Sequence, residues 1–435
     1  MVSGGTFGTE GIVYGAGYGR AMLILVLLPF VWCLPTTFMV GELASALPAE
    51  GGYYAWVRRG LGNFWGFQEA WLSLVASVFD MAIYPTLFVA YLVQMAPWVR
   101  EGHRSLLIAL LVVAICTCLN LAGIRVVGLT SVWLFLVLSA PFALMVALSP
   151  LKFEAVAHAP MTSEVNTVGL LGGMLIAMWN YWGWDNASTI ARAVDRPQKT
   201  YPRAMIAAVI LVAASYILPF AAAYIAGVPA EAFRSEGSWA QVAGLIAGTW
   251  QGRNWLGALV VLGGMISAFG MFNALVMSYS RLPLAMALDG MLPRIFARRS
   301  SRTGAPWIAI VACSIGWALC LGLGFQRLVT LEILLSGSSV VLEFVTLVAL
   351  RIREPQLKRE FRVPGGLTGA VLVGVCPVIL MSLALKQGWR ENLLGMNALL
   401  FGALLVLAGF ALYWATAGMR RRVTGPVVAE NIETA

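Results

Sequence analysis

The sequence predicts an all-α polytopic membrane protein, and three observations carry this reading. Of its 435 residues 60% are hydrophobic and only 11% are charged, against about 25% charged in a soluble domain. The apolar residues fall in blocks such as 22–40, 106–121 and 394–414, close to the ~20 residues that cross a hydrocarbon core as a helix. The blocks are apolar on every face, without the alternating ten-residue pattern of an outer-membrane barrel.

The chain opens on Met1-Val-Ser3-Gly4-Gly5-Thr6-Phe7-Gly8-Thr-Glu10, which is neither a signal peptide nor a span. This start reads as the second half of a broken helix that runs to about Gly17. A span over Ala21–Leu47 follows, stopped by Pro48 and Gly51-Gly52, then an amphipathic stretch, Tyr54–Gly62, with Arg58 and Arg59. Further spans are predicted at Phe64–Val93, Leu106–Ala122 and Val126–Leu148, followed by a polar loop, Ser149–Asn166, and a long apolar stretch, Thr167–Val194. Spans then recur at Met205–Ala226, Leu256–Leu288, Ile308–Leu323, Leu328–Leu350, Leu367–Leu385 and Leu394–Trp414, before a polar tail. The half-span and eleven full spans make twelve if the first half is restored.

The charge pattern supports this count. With loops assigned alternately and 50–62 placed inside, most Lys and Arg residues fall on the inner face, in clusters at Arg58-Arg59, Arg294–Arg302, Arg351–Arg362 and Arg420–Arg422. That bias places the C-terminus in the cytoplasm. The net charge of +9 forms no basic stripe with interleaved aromatics, so nucleic acid is not expected as a partner. The six cysteines lie in apolar blocks without metal or disulfide spacing. No nucleophile–base pair, metal cluster or phosphate loop is present, so neither an enzyme nor a cofactor is expected.

The stretch Thr167–Val194 is interrupted by Met178-Trp179-Asn180-Tyr181-Trp182-Gly183-Trp184-Asp185-Asn186. An ionised Asp at the bilayer centre costs roughly 2.5–3.5 kcal/mol, and irregular backbone survives at that depth only where protein or a wet cavity covers it. The run reads as a helix unwound to hold a ligand; a kinked helix packed on its neighbours is the plain alternative. The break at Ser3–Gly8 and the break at Asn180–Asn186 are each followed by four spans, which gives two halves of opposite orientation. Interrupted segments at matching positions of inverted halves point to a transporter binding site.

Gly4, Gly5 and Gly8 let backbone approach a ligand, and the helix N-terminus after Gly8 suits a carboxylate. Glu10 would instead favour a cation, or simply complement the helix dipole. Asp185 could accept from an amine, take up a proton or cap the second half-helix. Trp179, Tyr181, Trp182 and Trp184 could box an ammonium or pack the core, and only one or two of them can face one site. Glu69, Asp80, Glu332 and Glu343 also lie within spans whose deep parts hold no Lys or Arg. Unpaired acids there are protonated or face a cation, which favours an amine-bearing substrate. Glu10, Asp80 and Glu343 are the candidates for coupling or amine binding, with a structural role as the alternative for each.

Several runs resemble a known family. Gly41-Glu-Leu-Ala-Ser-Ala-Leu-Pro48 with Gly51-Gly52-Tyr53, and Ser280-Arg-Leu-Pro-Leu-Ala-Met-Ala-Leu-Asp-Gly-Met-Leu-Pro293, resemble the amino acid–polyamine–organocation (APC) transporter superfamily. Ser3–Glu10, Trp184–Thr189, Pro197–Pro202, Leu342-Glu-Phe344 and Arg362-Val-Pro364 resemble its branch of polyamine-uptake transporters. The resemblance implies a leucine-transporter-type 5+5 inverted repeat plus two spans. In this chain that would be residues 1–148 and 167–350 as repeats, 149–166 as an external loop, 351–416 as the extra spans and 417–435 as a tail. It implies alternating-access transport of a small molecule, an amino acid or polyamine, with protons and the lipid bilayer as the other partners. Substrate would sit between Ser3–Gly8 and Trp179–Asp185.

Three departures qualify the carry-over. The family has a half-helix before Ser3, whereas this chain begins at the break, so a truncated or misassigned start is expected. The lysine that some relatives use for proton coupling in span 5 has no counterpart in Val126–Leu148, and the Asp of plant members near the end of span 3 is Ala90 here. The reading is a proton-coupled transporter of the cytoplasmic membrane. An exchanger without ion coupling, or an inactive sensor-like homologue, is the alternative.

Overall fold

The computed structural model describes residues 5–47, 52–123, 128–152, 167–183, 197–249, 252–390, 392–393 and 395–416. Their regular structure is helical except for a short antiparallel pair, β1 (Asn392–Leu393) and β2 (Met396–Asn397), in the turn between the last two helices. Nine stretches among the described residues are long and apolar enough to cross a membrane, and two shorter apolar helices accompany them.

The first helix, α1 (Glu10–Leu28), leaves helical geometry at Gly17 (φ 72°, ψ 164°). It is therefore a short segment ending near Gly17 and the start of the next span, which begins a few residues before the expected Ala21. That span passes through a π-helical turn, Pro29–Cys33, into α2 (Leu34–Ala46). Pro29 and Pro35 supply no backbone N–H, so the regular ladder cannot close there. The interfacial helix α3 (Tyr53–Leu61) buries Trp56 and Val57 and carries Arg58 and Arg59 in its last turn.

The other helices follow the predicted blocks: α4 (Asn63–Met95), α5 (Arg104–Leu121), α6 (Gly128–Leu148), α7 (Thr167–Asn180), α8 (Pro197–Ile225), α10 (Trp255–Leu288), α11 (Trp307–Leu319), α12 (Phe325–Arg353), α13 (Gly366–Arg390) and α14 (Ala398–Ala415). The apolar blocks do not predict α9 (Trp239–Ala247), a short helix in the connection between α8 and α10. Helix α4 lies between α10 and α12 at the centre of the molecule. At the periphery, α13 and α14 leave Leu372, Ile379 and Leu407 exposed, as helices bathed in lipid do.

Glycines decide how α1 meets α7. A Cβ on Gly15 would lie 2.4 Å from the carbonyl oxygen of Gly169, and one on Gly169 would lie 2.6 Å from that of Gly15. One turn along, Gly173 faces the backbone of Ile12, and a Cβ on Gly11 would strike Ile176. Small residues spaced four apart let backbones touch, and in a bilayer close packing drives helix association.

At one end of the bundle, buried Glu42 of α2 accepts from Arg351 Nε (2.8 Å) and Nη2 (2.5 Å) and from the Val363 N–H (2.7 Å), with Arg359 Nε at 3.3 Å. Arg58 pairs with Asp289 and Arg59 with Glu354 at the same end. The latter pairs are partly exposed and contribute little, whereas removing one partner of a buried ion pair costs about 3–5 kcal/mol.

Replacing Gly15 with Ala is expected to destabilise the protein by about 1–3 kcal/mol, the usual range for overpacking, because backbone rather than a flexible side chain blocks the new methyl. Gly402→Ala in α14, where a Cβ meets nothing within 4 Å, serves as the comparison and is expected to keep its melting temperature. Thermal unfolding of the two purified variants in detergent measures the difference.

Candidate functional site

Residues 5–8 form successive turns ahead of α1, with Gly5 and Gly8 at positive φ (66° and 83°). Neighbouring elements cover this irregular backbone. Thr6 Oγ1 donates to the Ser215 carbonyl of α8 (2.9 Å), Thr9 Oγ1 donates to the Thr6 carbonyl (2.7 Å), and Trp239 Nε1 of α9 donates to Thr9 Oγ1 (3.1 Å). Buried Phe7 sets its ring edge against Tyr91 of α4 and Phe142 of α6, at centroid distances of 5.3 and 5.1 Å.

The run Met178–Asn186 is described as far as Gly183. Helix α7 ends at Asn180, and Tyr181 and Trp182 close a tight last turn through N–H bonds to Met178 and Trp179 carbonyls. Gly183 follows at φ 97°. The fully buried Asn180 bends its Nδ2 back to the Ile176 carbonyl (2.9 Å), and its own carbonyl accepts from Tyr216 Oη (2.8 Å). Its Oδ1 has no partner among the described residues.

The two interruptions meet. A Cβ on Gly8 would lie 3.4 Å from the Trp179 ring and 3.2 Å from Leu87, so positive φ and close contact both select glycine there. Trp179 donates from Nε1 to Asp80 Oδ1 of α4 (3.0 Å). Tyr279 of α10 donates to Asp80 Oδ2 (2.9 Å), and Tyr84 lies 3.4 Å from Oδ1. Three neutral donors thus surround Asp80, and no Lys or Arg forms an ion pair with it among the described residues.

Glu10 lies two residues beyond Gly8. Its Oε1 accepts from Tyr91 Oη (2.6 Å) and from the Gly237 N–H (2.9 Å), while Oε2 is buried without a partner among the described residues. The same connection is held by Tyr18 Oη donating to the Val228 carbonyl (2.8 Å). Beside Gly237, burial pushes the Glu236 carboxyl above the usual carboxylate range. Glu343 of α12 lines a small crevice, about 10 Å³, with Trp182 and Gly183. The structure therefore sets Glu10, Asp80 and Glu343 along the line of Gly8, Trp179 and Gly183.

The aromatics divide their roles. Trp179 alone among the described ones touches both Gly8 and Asp80. Tyr181 turns away to donate to the Leu25 carbonyl (3.0 Å), and Trp182 stacks on Trp32 at 4.6 Å. Ser3, Gly4, Trp184 and Asp185 lie outside the described residues. Sequence reasoning missed Tyr279, Tyr91 and the Gly237 N–H; a lone tyrosine in a span carries little signal, and a backbone donor carries none.

An amino acid permease family model matches residues 1–415. The chain belongs to the amino acid permease family. It is 37% identical to a probable polyamine transporter of Arabidopsis thaliana over 385 residues, covering 88% of this chain and 78% of the relative. A polyamine transporter of rice (Oryza sativa subsp. japonica) is 34% identical over 88% of this chain and 71% of its own length. A serine/threonine exchanger of Bacillus subtilis is 25% identical, over 84% of this chain and 83% of its own. This permease is thus a multi-pass membrane transporter rather than an enzyme, and its relatives carry amino acids or polyamines.

Trp179→Phe removes the indole donor while keeping an aromatic ring. It is expected to cost this permease about 0.5–1.5 kcal/mol, as for the loss of one hydrogen bond, read as lower thermal stability in detergent. The same loss should be absent in the Asp80→Ala background, since the two changes remove one interaction.

Proposed function

We propose that this permease is a secondary transporter that moves a polyamine or amino acid across the cytoplasmic membrane by alternating access, coupled to protons. The observation that carries the reading is the Trp179–Asp80 bond beside Gly8. It joins a buried acid without a basic partner among the described residues to both interruptions of the helical backbone. An amine held there gains a carboxylate and the face of Trp179, and a cation over an aromatic face gains roughly 0.5–2 kcal/mol.

Two acids divide two positive charges in this scheme. Asp80 receives the substrate amine. Glu10, whose second oxygen has no partner among the described residues, receives the proton and is tied through Gly237 to the connection between α8 and α10. Discharge of both acids to the other side resets the carrier. The segments 1–148 and 167–350 would act as inverted repeats rocking about the site. The face with Arg58, Arg59, Arg351 and Arg359 is assigned to the cytoplasm by its positive charge. The resemblance to polyamine transporters supports an oligoamine as the substrate.

A second reading, exchange of amino acids without an ion, is favoured by the resemblance to the serine/threonine exchanger and by the helix N-terminus after Gly8, which suits a substrate carboxylate.

Uptake of labelled putrescine, spermidine and an amino-acid panel into proteoliposomes separates the two. Proton-coupled transport predicts saturable uptake that rises as the outside is acidified and collapses with a protonophore. Asp80→Asn is expected to reduce it at least ~10-fold, the loss of one charged contact. Uptake seen only into vesicles preloaded with amino acid, and indifferent to the protonophore, would show exchange instead.

A further inference from the structure

A second site is built at the opposite edge of the molecule, where α12 gives way to α13. There Glu42 is the single carboxylate between two guanidiniums. The Arg351 and Arg359 side chains are 8% and 2% exposed and that of Glu42 is 1% exposed, so the buried cluster carries one excess positive charge. A cavity of about 380 Å³ opens beside it, lined by Arg351, Arg359 and Arg362 and by the backbone around Gly365 and Gly366. Arg362 is exposed and forms no ion pair among the described residues. The cavity borders the N-terminus of the 25-residue helix α13, whose dipole adds positive potential. Burial holds the Arg359 guanidinium below its usual value; Glu42 and, more weakly, Glu354 oppose this, and neighbouring Arg362 and Arg351 reinforce it.

This basic cavity does not stand alone. A groove of about 630 Å³ runs between α12 and α13, lined by Phe344, Val348, Ile352, Val371, Val375 and Ile379 among others. It shares the cavity's corner of the fold: Ile352 follows Arg351, and Val371 lies one turn beyond Leu367, which lines the cavity. Ile352, Val371 and Ile379 are 61%, 49% and 55% exposed. An apolar trough on the lipid-facing side ends at a pocket with surplus positive charge.

From this juxtaposition we infer that α12 and α13 form a binding site for an anionic phospholipid, with its phosphate headgroup in the Arg351–Arg359–Arg362 cavity and an acyl chain in the groove. Basic pockets between spans on the cytoplasmic side hold anionic headgroups in this way. The lipid would balance the charge that Glu42 leaves uncompensated and brace the 354–366 loop against α2. The site is remote from Asp80 and does not depend on the identity of the transported solute.

Native mass spectrometry of the full-length protein with phosphatidylglycerol or phosphatidylcholine tests this, with melting temperature as a second readout. Wild-type protein is expected to retain one phosphatidylglycerol in preference to phosphatidylcholine and to melt higher with it. Arg362→Gln, an exposed position, should weaken retention about fivefold, near the contribution of one basic residue at a charged surface. Val375→Trp, which fills the groove without touching the arginines, should weaken it as well. Equal retention of the two lipids, or variants that hold phosphatidylglycerol as wild type does, would overturn the proposal. Inorganic phosphate at matched ionic strength is the remaining arm. Stabilisation by phosphate equal to that by phosphatidylglycerol and unaffected by Val375→Trp would mean an anion site, not a lipid site.

Discussion

Inside a bilayer a peptide group that leaves the helical ladder must find a partner in protein or water, and this permease is arranged around meeting that demand twice. The turns at residues 5–8 are covered by α4, α6, α8 and α9, and the end of α7 is covered by α8 and the second span. Both coverings depend on the close approach of α1 and α7, which is possible only because Gly15 and Gly169 bring backbone against backbone. A larger side chain at that crossing would separate the two interruptions, and Gly8 and Trp179 with them.

The charges follow from the same geometry. Asp80 sits on the most enclosed helix and receives donors from α7, α10 and its own helix. A change at the end of α7 therefore alters the environment of an acid on α4 directly. Glu10 links the first interruption to the distant connection between α8 and α10 through one backbone N–H. The two acids thus touch different elements of the fold. Glu42, by contrast, is fixed by two arginines and a peptide N–H, and its role is to join α2 to α12 and the 354–366 loop. Asp80 and Glu10 have neutral donors as partners, whereas Glu42 has cationic ones.

Much of this was legible in the sequence. The spans were readable because bilayer thickness imposes a block length, and the interruption at Asn180 because amides, glycine and acid do not belong in a lipid-facing helix. Glu10 stood out as an acid in the first turn after the Gly8 break, and Asp80 as an acid in a span whose deep part holds no Lys or Arg. What was not legible depends on partners far away. Arg351 meets Glu42 across 309 positions, and Gly237 meets Glu10 across 227. Helix α9 is short and lies outside the regular blocks. The division of labour between Trp179, Tyr181 and Trp182 depends on where α7 stops, which composition cannot fix to one residue.

The most direct test of the account is an experimental structure of the permease in nanodiscs with bound putrescine. The account predicts ligand density between Gly8 and the end of α7, with an amine within hydrogen-bonding distance of Asp80 and against the Trp179 ring. Ligand density elsewhere, with the Asp80–Trp179–Tyr279 contacts unchanged from the free protein, would contradict it.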